Sequence, residues 1–402
     1  EVYSEEEKTQ HNIRALVNVM KSKISDELKP YVHLGATSVD ILDTAFALRI
    51  RDAIRNCILP LMIEVEELLI ELCENEAETP QVGRTHGQHA VPITIGFAFA
   101  EYAARLGKSI KELSDRSKDL RGKLSGAVGA YNATSMIVKD PEELEKLCLG
   151  YLDIKPSEIC TQMVEPEYLL RALLEVNIAF GVIANLADDL RNLQRSEISE
   201  VREFFSSTQV GSSTMPQKRN PWNSEHVKSL WKAFSPRVQT FFMDQISEHQ
   251  RDLTNSASSR FAVEYLAGFA SAANRMKKIL ASLYIDNNRL RANLNTAGDL
   301  LLAEPAYILL SLGGEPDAHE VIRKITLACE NEGISFLEAL KKNEKAWSLI
   351  RTRFQELRGQ NAEDFFADPS SYRGKAAEKA RSIANTYKEL MKNLKKRNLN
   401  DN

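Results

Sequence analysis

Apolar residues recur at three- and four-residue spacing over long stretches of this chain, and that period predicts long helices. Ile50, Ile54, Ile58, Met62, Val65, Leu69 and Leu72 mark the first, over about Thr44–Asn75, with Pro60 inside it predicting a local kink. A second is predicted over about Ile93–Arg121. The third, about Glu167–Phe205, holds one Gly and no Pro, and its middle is apolar on nearly all sides, as in a helix buried within a bundle. A fourth is predicted from near Asn223 past Gln250. After about Phe261 the pattern shifts to shorter helices broken at Gly313-Gly314, Gly333 and Asp368-Pro369-Ser370-Ser371. Long helices that are apolar all round need more neighbours than one chain supplies. The pattern therefore predicts an all-α bundle of long helices with smaller helical caps, its core completed by other subunits.

Composition supports that picture. The 402 residues are 43% hydrophobic, with only 18 Gly and 13 Pro, too few for a turn-rich β protein. A net charge of −4 creates no general attraction for nucleic acid or an anionic membrane. Five scattered cysteines without a CxxC read as reduced thiols of a cytoplasmic protein. No signal peptide is visible, and no apolar run is expected to span a bilayer. The C-terminal KKRNLNDN reads as a solvated tail.

Polar islands interrupt the helices. Gln10-His11-Asn12 lies near the start, and His33, Thr37, Ser38 and Asp40 lie in HLGATSVD. QVGRTHGQHAVP holds Arg84, Thr85, His86, Gln88 and His89, and RDLTNSASSR holds Arg251, Ser256 and Arg260. Mid-chain stands VGSSTMPQKRNPW, with Ser212, Ser213, Lys218, Arg219 and Asn220. Each island also has a structural reading. Thr37 to Asp40 can cap the following helix, Arg251 and Asp252 can form a surface ion pair, Lys218-Arg219 can be solvated loop charges, and a lone His is most often a hydrogen-bonded structural residue. His86 and His89 are spaced for one helical face, but no Cys or carboxylate stands beside them at ligand spacing, so no metal is expected. No phosphate loop and no GxSxG elbow is present, which argues against an NTPase, a dinucleotide enzyme or acyl-enzyme chemistry. Taken together, the His, hydroxyl, Arg, Lys and amide groups suit acid–base chemistry on a small polyanion. The residues alone go no further.

Gly211-Ser212-Ser213-Thr214-Met215-Pro216-Gln217-Lys218-Arg219-Asn220-Pro221 resembles, without a gap, the GSSxMPxKxNP signature of the fumarase/aspartase superfamily. HLGATSVDILDTA, GRTHGQHAVPITIG, the GAVG of Gly126 to Gly129, and RDLTNSASSR resemble its adenylosuccinate lyase family over most of residues 1–270. The resemblance implies three helical domains: a remnant of the N-terminal domain at 1–36, a central long-helix domain at 37–262 and a C-terminal domain at 263–402. It also implies a homotetramer whose active sites each draw on three subunits. The implied activity needs no cofactor. It is β-elimination of fumarate from the nucleotide adenylosuccinate, giving AMP, and from the succinylated carboxamide intermediate of purine synthesis. Ser212 matches the general base, His86 the general acid and Glu225 the carboxylate paired with that His. Lys218 and Asn220 match groups that hold the succinyl carboxylates, and Ser213 is carried as a further binding position of the signature. His11 and His33 match further active-site His residues. Thr37, Ser38, Thr85 and Gln162 match substrate-binding positions, and Arg251, Ser256 and Arg260 match groups around the nucleotide and its phosphate.

The chain departs from the family at Asn12, where an Asp is usual, and at Met163-Val164-Glu165-Pro166-Glu167, where a basic residue is often found. His226 replaces an Arg of some members, and the segment expected before TQH, with an Arg-Tyr pair for phosphate, has no equivalent. A carboxymuconate cycloisomerase is the rival within the superfamily, and a non-catalytic, crystallin-like role is the rival outside enzymes.

Overall fold

The structure is a computed structural model that describes residues 1–206, 208–252 and 254–400, with side chains through residue 396. In chain order the helices are α1 (Val2–Thr9), α2 (Asn12–Ser22), α3 (Ser38–Ala53), α4 (Leu59–Asn75), α5 (Ile95–Lys118), α6 (Pro141–Gly150), α7 (Glu167–Leu193), α8 (Trp222–Phe234), α9 (Val238–Met243), α10 (Ala262–Ala281) and α11 (Asn287–Ala297). Shorter helices follow as α12 (Ala303–Leu312), α13 (Ala318–Glu332), α14 (Phe336–Lys342), α15 (Glu344–Arg358) and α16 (Ala362–Ala367), and α17 (Ala376–Asn400) is the last of the described helices. An antiparallel hairpin pairs β1 (Pro80–Thr85) with β2 (Gln88–Thr94). Two-residue strands pair β3 (Arg121–Gly122) with β4 (Lys155–Pro156), and β5 (Val201–Arg202) with β6 (Tyr284–Ile285).

The helical architecture matches the expectation, and the boundaries shift for identifiable reasons. The first long helix begins earlier, at Ser38, and runs to Asn75 through a π-helical turn at Ile54–Ile58. Pro60 has no N–H to give to the turn before it, so the expected irregularity takes this form. The second helix starts at Ile95, because Ile93 and Thr94 belong to β2. The third stops at Leu193 rather than Phe205: the chain turns through Ser199 at φ 53, and Val201–Arg202 pairs with Tyr284–Ile285. The fourth does not pass Gln250. It ends at Phe234, and Pro236 in the next turn cannot continue the backbone ladder, so only the short α9 follows. Helix α7 is apolar and long enough to cross a membrane by length and composition, against expectation. However, 56% of that stretch is buried inside the protein, as the core helix of a bundle requires. The C-terminal tail is helical through Asn400, and Asp401 and Asn402 lie outside the described residues.

The chain divides into two compact units. The first comprises Glu1–Ile63, Lys108–Ile183 and Ser229–Asn274. Its core sets Phe180 edge-on to Phe269 at 5.4 Å, with the buried Tyr265 hydroxyl donating to Asn177 Oδ1 at 3.1 Å. A fully buried ion pair, Lys123 with Asp40, ties the start of α3 to the loop after β3. Asp40 also accepts the N–H groups of Thr37 at 2.8 Å and Ser125 at 3.2 Å. That satisfaction is what makes a buried pair tolerable.

The second unit comprises Glu64–Gly107, Ala184–Lys228 and Arg275–Asn402. Its α17 lies along α4, with Lys388 on Glu74 at 2.9 Å and Lys395 on Glu67 at 2.5 Å. Phe336, Leu340, Ile350 and Phe366 centre a separate apolar cluster. Glu66 in α4 is fully buried, and among the described residues both of its carboxyl oxygens lack a hydrogen-bond partner. Burial pushes its carboxyl well above the ordinary 4.5. The folded protein thus holds this proton more tightly than the unfolded chain does. Stability from this group is complete below the unfolded value and is lost as pH rises toward the folded one. Glu66→Gln is therefore expected to melt above the parent at pH 8, with the gap closing toward pH 4.5. Thermal unfolding at the two pH values checks this, and an equal gap at both would exclude the assignment.

Candidate active site

In the second unit, the polar island around His86 is a hairpin rather than a loop. Arg84 pairs with His89 and Thr85 with Gln88, leaving His86 and Gly87 as a two-residue turn. Both have positive φ, 54° and 74°, as a type I′ turn requires. Gly87 accepts that conformation freely, whereas His86 adopts it at a steric cost. His86 and His89 therefore do not share a helical face, despite their spacing. His86 and Thr85 are exposed at the tip. The base is rigid: Arg84 forks onto the fully buried Glu200 at 2.6 and 3.1 Å, and Gln81 and Asn293 each donate to Glu200 at 2.8 Å. Arg84, grouped with the chemistry-capable residues by sequence, is thus structural. Its partner Glu200 carried no signal, because it lay inside an expected helix.

The signature segment is a loop folded on itself. Asn220 Nδ2 donates to the Gly211 carbonyl at 3.0 Å, and a Cβ at Gly211 would stand 2.0 Å from the Lys218 carbonyl oxygen, so only glycine fits. Ser212 Oγ accepts the N–H groups of Thr214 at 3.3 Å and Met215 at 3.0 Å. Donors aimed at this oxygen favour its deprotonated form. Ser213 and Lys218 are exposed on the same loop, and Glu225 is exposed in the first turn of α8. Among the described residues of the one chain, no hydrogen bond or ion pair joins His86 to Glu225 or to Ser212.

The remaining predicted residues lie in the first unit. Thr37 and Asp40 form a capping box at the start of α3, so their structural reading holds, with Ser38 the first helical residue. His33 adopts φ 65, and burial lowers its pKa, outweighing the opposing pull of Asp40. Burial thus favours the neutral imidazole. His11 caps α2: its Nδ1 accepts the Arg14 N–H at 3.3 Å. Gln162 is half-buried near the tip of a tight loop whose ends bridge at Cys160 and Val164, and its N–H donates to the Gln250 carbonyl at 3.2 Å. Asp43 accepts the Val164 N–H at 3.0 Å, and its carboxyl is raised by burial against the lowering influence of this bond and of Arg251. Gln162 and Arg251 are therefore brought together, with Asp43 as a support that sequence reading missed. Asp252 does not pair with Arg251; it accepts the N–H groups of Glu248 and Thr254, both at 2.9 Å. Leu253 of this segment lies outside the described residues, while Ser256 and Arg260 are exposed. A cavity of about 1070 Å³ in this unit is lined by Phe241, Met243 and Phe261 together with Asp252, Thr254 and Asn255 of the RDLTNSASSR segment, while its lining among the described residues does not include Arg251, Ser256 or Arg260.

Residues 1–233 match the family model described as Lyase, and residues 247–361 match that described as Adenylosuccinate lyase C-terminal. The fold has the same class: TM-score 0.79 at 23% identity to a 3-carboxy-cis,cis-muconate lactonizing enzyme from Pseudomonas putida, covering 96% of this chain and 85% of that one. Fold and first match define an all-α lyase. Adenylosuccinate lyase of Pyrococcus abyssi is 35% identical over 94% of this chain and 82% of its own length. That of Archaeoglobus fulgidus is 32% identical over 96% and 85%. The chain belongs to the adenylosuccinate lyase family of the fumarase/aspartase superfamily.

Proposed function

We propose that this protein is an adenylosuccinate lyase, a carbon–nitrogen lyase that releases fumarate from adenylosuccinate to leave AMP. The same elimination applies to the succinylated carboxamide ribotide of purine synthesis. The observation that carries the reading is the intact loop Gly211–Pro221, in which Ser212 Oγ already accepts two backbone N–H groups.

Ser212 removes the Cβ proton of the succinyl group. The charge that develops on the adjacent carboxylate is met by Lys218, Asn220 and loop N–H groups, with Ser213 beside them. His86 protonates the departing nitrogen, held and stabilised in its charged form by Glu225. Base and acid come from different elements, which suits an anti elimination. His11 and His33 complete the acid–base set. Thr37, Ser38, Thr85 and Gln162 bind the substrate, and Arg251, Ser256 and Arg260 bind its nucleotide and phosphate. No resident cofactor takes part in this scheme. His86 and Glu225 are exposed and Ser212 is half-buried, and among the described residues of one chain none is bonded to another, which fits a homotetramer in which each site draws on three subunits; a cytoplasmic location is part of the same proposal.

The lactonizing-enzyme neighbour is 23% identical, which speaks to fold alone. Incubation with adenylosuccinate is expected to yield AMP and fumarate in equal amounts. Absence of both, with turnover of carboxymuconate instead, would overturn the reading.

A further inference from the structure

We infer that Gln194 is a positioning residue for the signature loop: its one amide ties the chain entering the loop to the chain leaving it, and so sets where Ser212 and Lys218 stand. This rests on the elimination proposed above. Gln194 immediately follows the last residue of α7. Its Oε1 accepts the Glu203 N–H at 2.8 Å, and its Nε2 donates to the Arg219 carbonyl at 3.2 Å. A side-chain amide carries an acceptor on one arm and a donor on the other, so this one residue can hold both strands.

Both arms are otherwise fixed. Glu203 accepts from Asn223 Nδ2 at 2.8 Å and from the N–H and hydroxyl of Ser224 at 2.8 and 2.6 Å, closing the start of α8. Asn223 Oδ1 in turn accepts from Arg275 at 2.6 Å. Within the loop, the Arg219 guanidinium lies 5.3 Å from the Phe205 ring. The neck is thereby referenced to the end of a long helix, and the tip that carries Ser212 lies beyond this tie. Orientation of this kind governs kcat more than ground-state binding.

The test uses Gln194→Ala and Gln194→Glu in the full chain. The Glu variant keeps the acceptor for the Glu203 N–H and loses the donor to Arg219. Trypsin must free the Arg219 carbonyl to cut the Arg219–Asn220 bond. Without substrate, both variants are expected to be cut there about fivefold faster than the parent, the scale of one lost hydrogen bond. With adenylosuccinate, kcat is expected to fall by on the order of tenfold while KM changes much less. Parental cleavage rates, or parental kcat in both variants of an active protein, would overturn the inference. If the parent itself releases no fumarate, the functional reading fails, and the cleavage rates still decide whether Gln194 holds the neck. Should Gln194→Ala not fold, Gln194→Glu carries the same two readouts.

Discussion

Ser212→Ala is expected to lower kcat for fumarate release by at least ~10²-fold, and His86→Ala by a comparable factor, with KM for adenylosuccinate far less affected. Ser212 contributes one oxygen, and the loop already directs the Thr214 and Met215 N–H groups at it. Alanine keeps the loop sequence otherwise intact and removes only the atom that takes the proton. The two N–H groups lose an acceptor, but on an exposed segment water replaces it. Melting should therefore stay within about 0.5 kcal/mol of the parent. His86 sits exposed on a strained turn, so alanine there removes the imidazole without opening a cavity. Steady-state fumarate release measures both variants. Turnover near the parental rate in either would remove that residue from its assigned step.

Arg84→Ala is expected to destabilise the protein by about 3–5 kcal/mol, the cost of leaving a buried charge without its partner. Glu200 is 0% exposed and has Arg84 as its one ion-pair partner among the described residues. Gln81 and Asn293 each give it one neutral donor, which cannot replace a guanidinium fork. Arg84→Lys should recover only part of the loss, because a point charge cannot make both contacts. Activity should fall as well, since Arg84 anchors the strand that leads into the His86 turn. Urea unfolding followed by circular dichroism tests this. A loss below about 1 kcal/mol, the range of a surface pair, would mean that the network does not hold the hairpin.

Local chemistry explains why much of the candidate site could be read from the sequence. The signature is contiguous, so Ser212, Lys218 and Asn220 needed no fold to be seen together. The long helices were legible because one apolar period persists over many turns. The hairpin was not, since GRTHGQHAVP has little strand patterning and its turn is set by two positive φ values. Glu200, Gln194 and Asp43 were equally silent: a lone Glu, Gln or Asp in a helical pattern looks like any solvated residue. Their partners lie far along the chain, at Arg84, Arg219 and Val164.

The all-α class, the long central helices and the signature motif could be read from the chain alone, because periodicity and a contiguous motif are properties of neighbours along it. Where α7 ends, that Arg84 is structural, that His86 crowns a hairpin and which side chains lie at the loop's neck came only from the folded protein. Those outcomes depend on burial and on pairing between distant residues. A carboxylate such as Glu200 becomes a support, and an amide such as Gln194 a clamp, only once folding has excluded water and brought their partners within hydrogen-bond reach.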